Sequence, residues 1–322
     1  MVKRKLWIMN NTKHILNESL CVICTVFRSA DIVGELVQLV SRECTKCTAN
    51  FEIILVDDCS PDSSWSAIVE VCRTRSNVRG IRLGRNFGQQ LAVSAGLRHT
   101  EADYVIVMDG DLQNPPSAIP EIFSKLKNNL DTVYTTSLVR NSLVSSASSW
   151  LFWWIMNKLF KIKVIPNQLM MRGMSRRCVD LFNSYNEHIR NVVGITHNIG
   201  LEYEVIKVCN KKRHSGSSNY NFFKRFDVML DFVLLMTNRP LTYLIYGAAF
   251  AFFASFILGI KTFINYLRFP EMPAGYTTII FLICLFCSSI LLVLGVIGRY
   301  LANIYSEVRD RPLFNVEKKI NF

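Results

Sequence analysis

The residues with the clearest chemical potential are two aspartates one residue apart, Asp109 and Asp111, in the stretch VMDGDLQNPP behind the apolar run YVIV. Two carboxylates this close repel each other unless a cation lies between them or water solvates both. In an extended chain residues i and i+2 point the same way, so the two side chains converge at a strand end. With Gln113 they offer the hard oxygen ligands that suit Mg²⁺ or Mn²⁺. The stretch therefore predicts a divalent-metal site, and such an ion also neutralises a diphosphate leaving group.

A second pair of acidic residues, Asp57 and Asp58, follows another apolar run in ILVDDCSPDSS. At the end of a strand, this pair lies where the base and ribose of a nucleotide could be hydrogen-bonded. Capping of the next helix by Asp58 or Ser60 is a compatible alternative, because Asp and Ser are preferred N-cap residues.

Both acidic pairs fall in a region of short apolar strands that alternate with helices, residues 20–115. The predicted strands are LCVICTVF, FEIILVDD, VRGIRLGR and DYVIVMDGD, and the predicted helices are DIVGELVQLVSREC, WSAIVEVCRTR and QQLAVSAGLRHT. This alternation predicts a mostly parallel α/β sheet with right-handed crossovers. Ligands bind outside the carboxyl ends of the strands in such sheets, where both acidic pairs fall.

The composition indicates a protein that works against an anionic surface. The chain has 322 residues, half of them hydrophobic, and a net charge of +12; its mean hydropathy is +0.21. Apolar and basic character together favour a membrane surface. Nucleic acid is not expected as a partner, since neither a zinc-finger spacing nor an RNA-binding aromatic signature is present.

The ten cysteines are expected to be reduced core residues, which fits a cytoplasmic face. Cys21/Cys24 and Cys44/Cys47 form C-x-x-C pairs that could indicate zinc. Cys21 and Cys24 lie in a predicted strand, however, where a spacing of three turns them to opposite faces.

Two segments, residues 241–260 and 277–298, are uncharged and about 20 residues long, which suffices to cross a bilayer core. A fully buried helix pair is the alternative. Basic residues are richer on both outer flanks than in the link between the segments, which places the globular domain and the C-terminus together in the cytoplasm. Residues 221–240 are predicted to form an interfacial amphipathic helix. For residues 150–165 a core helix and an interfacial helix both remain open.

Five stretches occur in the order seen in one enzyme family: ILVDDCSPDSS, RLGRNFGQQLAVSAGL, VMDGDLQNPP, RHSGSSNY and GRYLANIYSEVRDRP. From about residue 20 to residue 312 the chain resembles the family 2 glycosyltransferases of the GT-A fold. Within them it is most similar to the membrane-anchored polyprenyl-phosphate glycosyltransferases, such as bactoprenol glucosyltransferase, undecaprenyl-phosphate aminoarabinose transferase and dolichyl-phosphate mannose synthase. The resemblance implies a UDP-sugar donor of glucose type, a polyprenyl-phosphate acceptor, a Mg²⁺ or Mn²⁺ cofactor, and inversion at the anomeric carbon.

The resemblance also assigns site residues in three groups. The metal and diphosphate motif, with the catalytic pair, matches Asp109, Asp111 and Gln113. The nucleotide-binding positions match Thr25, Asp57 and Asp58. The positions facing the acceptor phosphate match Arg140, Arg213 and Ser218. For the two arginines, attraction to lipid headgroups or simple solvation remains the alternative.

The expected organisation is a cytoplasmic GT-A catalytic domain (1–220), an interfacial helix (221–240), a transmembrane hairpin (241–298) and a cytoplasmic tail (299–322). The expected location is the cytoplasmic membrane. Related proteins form tetramers, so the resemblance admits a homo-oligomer. The expected role is transfer of a single sugar to undecaprenyl phosphate, for modification of a surface polysaccharide such as a lipopolysaccharide O-antigen. A degenerate, non-catalytic homologue and a same-fold transferase with another acceptor are the alternatives.

Overall fold

The computed structural model describes residues 18–138, 168–185, 190–209, 275–309 and 311–322, with single residues and short runs elsewhere between 154 and 264. The chain divides into two compact units. One consists of residues 1–147, 165–218 and 311–322, and the other of residues 148–164 and 219–310.

The first unit is built on an eight-stranded sheet with the order β7-β5-β6-β4-β1-β2-β3-β8. Its strands are Leu20–Val26 (β1), Phe51–Asp57 (β2), Val78–Leu83 (β3), Tyr104–Asp109 (β4), Thr132–Ser137 (β5), Gln168–Ser175 (β6), Tyr203–Val208 (β7) and Val316–Ile320 (β8). Its helices are Val33–Cys44 (α1), Ser64–Thr74 (α2), Gln89–Leu97 (α3), Ile119–Lys127 (α4), Arg176–Ser184 (α5) and Val192–Asn198 (α6). A 3₁₀ turn, Pro116–Ala118, precedes α4.

The four strands predicted from the sequence form the parallel centre of this sheet. β1 pairs in parallel with both β2 and β4, and β2 pairs in parallel with β3. β6 is inserted antiparallel between β4 and β5, and β8 adds antiparallel to the β3 edge. The predicted mostly parallel α/β sheet with flanking helices is thereby confirmed.

Apolar residues fill both faces of the sheet, because helices cover both sides. In β1 the alternate residues Leu20, Val22 and Cys24 join the core beneath α1, α2 and α4. Cys21 and Ile23 join the opposite core beneath α3, α5 and α6. The two cysteines thus lie on opposite faces as predicted, and in the described part of the chain all cysteines are free.

The second unit contains the longest described helix, Tyr276–Val308 (α7). Many of its large apolar side chains are exposed, namely Ile279, Ile283, Ile290, Leu291, Leu294, Ile297 and Leu301. Across the residues that the structure describes, no helix combines the length and the apolar character needed to cross a membrane. Of the predicted interfacial helix 221–240 the structure describes residues 233, 237 and 239, and of segment 241–260 it describes eleven scattered residues.

Candidate active site

An open pocket of about 480 Å³ lies at the carboxyl edge of β1, β2 and β4. The parallel register aligns these strand ends, with Thr25 beside Asp109 and Val26 beside Asp57. Of the nine residues predicted to form the site, five line this pocket: Thr25, Asp58, Asp109, Asp111 and Gln113. Residues far apart in sequence therefore meet where the strand topology predicts.

Asp109, the last residue of β4, has both carboxylate oxygens occupied by amide donors. Gln89 Nε2 donates to Oδ1, and Asn114 Nδ2 donates to Oδ2 at 3.1 Å. Burial, and then the neighbouring charge of Asp111, raises the pKa of Asp109 to about 6. A buried anion beside a second carboxylate is what a divalent ion would relieve.

The glycine between the two aspartates brings the turn against β1. The Gly110 N–H donates to the Thr25 carbonyl at 2.9 Å. A Cβ at position 110 would lie 2.6 Å from that same oxygen, which is closer than van der Waals contact allows. Only glycine therefore permits the acidic pair to lie this close to the end of β1.

Beyond the glycine the chain turns sharply and fixes Asp111 and Gln113. Leu112 has a φ of 57°, in the left-handed region. The Gln113 N–H donates to Asp111 Oδ1 at 3.0 Å. The prolines that follow cannot extend the strand and lead into the 3₁₀ turn before α4.

The residues present fit a small divalent cation. Within the described residues no group of three or more His, Cys, Asp or Glu side chains could hold a metal. The protein can instead offer two carboxylates and the amide oxygen of Gln113 at one open pocket. Mg²⁺ is usually bound by only a few protein ligands, and water and substrate phosphates complete its coordination shell.

Asp58 lines the pocket but uses both carboxylate oxygens to fix a neighbouring loop. It accepts the backbone N–H of Phe87 at 2.7 Å and that of Gly88 at 2.8 Å. Gly88 has a φ of 89°, which favours glycine. This bond pair orients residues 86–89, of which Asn86, Gly88 and Gln89 border the pocket.

Asp57 lies behind the pocket rather than in its lining. It is fully buried, and its Oδ1 accepts the Ser60 N–H at 3.1 Å. Its Oδ2 lies 3.6 Å from Arg82 Nε. Burial raises the pKa of Asp57, and the contacts with Ser60 and Arg82 act against that rise. The predicted nucleotide-binding pair is therefore split between the pocket and its supporting turn.

The alternative of helix capping by Asp58 or Ser60 is wrong. The next helix begins at Ser64, and Asp62 Oδ1 accepts the Ser64 N–H at 3.2 Å. The Ser60 hydroxyl instead accepts the Arg28 N–H at 3.2 Å, which ties the acidic turn to the end of β1.

A buried arginine that the sequence analysis did not single out lies on β6, the strand next to the one that carries Asp109. Arg172 of β6 is opposite Val107 of β4 and is completely buried. Its Nε donates to the Met170 carbonyl at 3.1 Å. Burial lowers the pKa of Arg172 to about 10, whereas the negative charge of Asp109 acts to raise it. The positive charge of Arg172 acts in turn to lower the pKa of Asp109, against the larger effect of burial.

Gln89 and Asn114 were also not assigned to the site from the sequence, although the position of each in the sequence pointed to it. Asn114 belongs to DLQNPP, and Gln89 opens the helix that follows β3 at the carboxyl edge. The three predicted acceptor residues, Arg140, Arg213 and Ser218, lie outside the described residues.

A mostly parallel sheet with an acidic D-x-D turn at the carboxyl end of a central strand is the arrangement expected from the resemblance to the GT-A-type sugar transferases. Residues 21–177 match the model of glycosyl transferase family 2. A relative from Bacillus subtilis (strain 168), named "Putative glycosyltransferase CsbB", is 30% identical over 270 residues, which cover 84% of this chain and 82% of CsbB. The chain belongs to glycosyl transferase family 2.

Further relatives extend over nearly the whole chain. The undecaprenyl-phosphate 4-deoxy-4-formamido-L-arabinose transferase of Proteus mirabilis (strain HI4320) is 27% identical, with 93% of each chain covered. Among solved structures, glucosyl-3-phosphoglycerate synthase of Mycobacterium tuberculosis in complex with Mn²⁺, UDP-glucose and phosphoglyceric acid gives a TM-score of 0.51 at 13% identity. The alignment covers 69% of this chain and 79% of the synthase, and it shows the shared fold.

Proposed function

We propose that the protein transfers one sugar from a nucleotide-sugar donor to a polyprenyl phosphate at the cytoplasmic surface of a membrane. The observation that carries this proposal is that Thr25, Asp58, Asp109, Asp111 and Gln113 border the same pocket. The relative from Proteus mirabilis is named for transfer to undecaprenyl phosphate, which supports this class of acceptor.

Within this proposal Asp109, Asp111 and Gln113 hold a divalent ion, Mg²⁺ or Mn²⁺. When bound, the ion neutralises the diphosphate leaving group. Gln89 and Asn114 hold the Asp109 carboxylate in place. Asp58 fixes the loop that closes one side of the pocket. The donor is a UDP-sugar of glucose type, which is the ligand of the Mycobacterium synthase with the same fold.

The acceptor accounts for the basic, apolar character of the chain. A phosphate monoester has a second pKa of about 6, so the acceptor is largely a dianion at neutral pH and needs little help from a general base. It needs cations that bring it to a negatively charged donor, and Arg140 and Arg213 are the proposed residues. A single displacement by this phosphate inverts the anomeric carbon.

The lipid tail of such an acceptor remains in the bilayer, which requires the pocket to work at a membrane surface. Segments 241–260 and 277–298 are the proposed anchor, and the exposed apolar side chains of α7 support it, because a surface of this kind marks a membrane or protein contact. The proposed location is the cytoplasmic membrane.

The test is release of UDP by the purified full-length protein from a panel of UDP-sugars, with a short-chain polyprenyl phosphate and Mn²⁺. We expect release that requires both acceptor and metal and is lost in Asp111→Ala. Glu70→Ala, an exposed carboxylate of α2, is the matched control and should keep full activity. Donor binding without turnover in the wild type would instead support the non-catalytic homologue.

A further inference from the structure

The C-terminal segment, residues 311–322, contributes an edge strand to the sheet that carries the pocket. β8 pairs with β3 so that Arg82 is opposite Lys318 and Leu83 is opposite Val316. Beyond the strand, Asn321 Nδ2 donates to the carbonyls of Cys72 at 2.8 Å and Val78 at 2.7 Å. The segment is therefore anchored along its length rather than trailing from the domain.

This segment contacts the start of the loop that borders the pocket. We call residues 84–88 the pocket loop. The Gly84 N–H donates to the Asn315 carbonyl at 3.1 Å. At the other end, the Phe87 and Gly88 N–H groups donate to Asp58. The pocket loop is thus held at one end by the C-terminal segment and at the other end by the Asp58 carboxylate.

The loop is also close-packed against the C-terminal segment. A Cβ at position 84 would lie 2.1 Å from Asn315 Oδ1 and 2.9 Å from its Cγ. A side chain at position 84 must therefore displace the exposed side chain of Asn315 or move the loop. Gln89, which follows the pocket loop directly, donates a hydrogen bond to Asp109. A shift of the loop would therefore also move a partner of the Asp109 carboxylate.

A charged contact links the same segment to the acidic turn. Arg82 Nε lies 3.5 Å from Glu317 Oε2 and 3.6 Å from Asp57 Oδ2. Asp57 is fully buried, and a buried carboxylate needs a cation nearby. Glu317 therefore helps to hold the guanidinium that supports the Asp57–Asp58 turn.

We propose that the C-terminal segment is a positioning element of the donor pocket, with the main-chain carbonyl of Asn315 setting the pocket loop and the side chain of Glu317 supporting the Asp57–Asp58 turn. The affinity for the nucleotide part of the donor then depends on the last residues of the chain. The identity of the donor rests on the function proposed above, whereas the positioning itself does not.

The test is a double-mutant cycle in the full chain between Gly84→Ala and Asn315→Ala. Gly84→Ala alone should raise the KM for the UDP-sugar about tenfold, with kcat and the acceptor KM nearly unchanged. Asn315→Ala removes the side chain that the new methyl group meets, so the double variant should return to within about threefold of wild type. Equal effects of Gly84→Ala with and without Asn315 would overturn the proposal.

Glu317→Lys supplies an independent variant, and Glu70→Lys is its matched control on an exposed helix position of the same unit. Hydrogen exchange should become faster at the Phe87 and Gly88 amides in Glu317→Lys and stay unchanged in Glu70→Lys. Unchanged exchange in both variants would contradict the positioning role. Hydrogen exchange is measured without any donor, so it tests the positioning role alone. Failure of the wild type to release UDP would refute the proposed function and would not bear on the exchange result.

Discussion

At the scale of single residues, the Asp109 carboxyl combines two opposing features. Two amide groups hold it in place, whereas burial and the Asp111 charge disfavour its ionised form and raise its pKa from 3.8 to about 6. Such a group binds a proton more tightly in the folded than in the unfolded chain. Its contribution to stability is therefore present below pH 4 and is lost as the pH rises through about 6.

Asp109→Asn should stabilise the metal-free protein above pH 7, because the amide carries no charge into the buried site. The upper bound from a pKa shift of this size is about 3 kcal/mol. Melting temperatures at pH 4 and pH 7.5 without metal measure the effect, and the gain should shrink to near zero at pH 4. A gain of the same size at both values would show that ionisation of Asp109 is not its cause. Added Mn²⁺ should raise the melting temperature of the wild type only.

The affinity for Mn²⁺ should also depend on pH, since the ion competes with the proton for Asp109. Below pH 6 the affinity should fall by about tenfold per pH unit, and above pH 7 it should level off. Titration with Mn²⁺ followed by electron paramagnetic resonance gives the free-ion concentration directly. An affinity that is flat from pH 5 to pH 8 would remove the assigned role of Asp109.

At the scale of elements, the local sequence pattern predicted the parallel centre of the sheet and missed the strands on either side of it. β1 to β4 are short and mainly apolar and end in acidic or polar turns, so the local sequence is sufficient to predict them. β6 contains the buried Arg172, whose burial depends on partners from distant elements. β8 reads VEKKI, a charged strand whose place is decided by the unpaired edge of β3. Long-range pairing of this kind leaves little trace in a local pattern.

The same distinction applies to the site. The turn D-G-D and the pair Asp57-Asp58 predict acidic residues at two strand ends. The carboxyl ends of parallel strands share one edge of the sheet, which brings the two acidic pairs together. Which oxygen meets which donor depends on the exact path of the loops. Asp57 therefore lies behind the pocket, whereas Gln89 borders it. The sequence contains no signal that distinguishes a residue that lines the pocket from one that supports it.

Gly110→Ala tests whether contact between the strand ends positions the acidic pair. The new methyl group would lie 2.6 Å from the Thr25 carbonyl, so the ends of β1 and β4 must separate. We expect a loss of about 1–3 kcal/mol of stability and a fall in kcat of about two orders of magnitude.

Gly34→Ala is the control for this variant, since nothing lies within 4 Å of a Cβ at that position in α1. It should stabilise the helix by less than about 1 kcal/mol, since Gly34 lies in the first turn of α1, and it should leave turnover unchanged. Full activity in Gly110→Ala would show that the Thr25 contact does not position the site.

At the scale of the whole molecule, the path of the chain constrains any membrane anchor. The chain leaves the first unit after residue 218 and returns to it at residue 311. Because β8 pairs with β3, β8 lies on the same side of any bilayer as the pocket. The number of crossings between these points must then be even, which agrees with the two segments proposed from hydropathy and flanking charge.

Cysteine labelling in membrane vesicles tests this arrangement. In a background with the exposed Cys209 and Cys287 changed to Ser, Glu121→Cys marks α4 of the first unit, and Arg268→Cys marks the link between the two segments. A membrane-impermeant maleimide should label Glu121→Cys only in inside-out vesicles and Arg268→Cys only in right-side-out vesicles. Labelling of both positions from the same side would exclude the hairpin, because two crossings must place the link opposite the catalytic unit. A protein released from the vesicles by carbonate at high pH would exclude the anchor altogether.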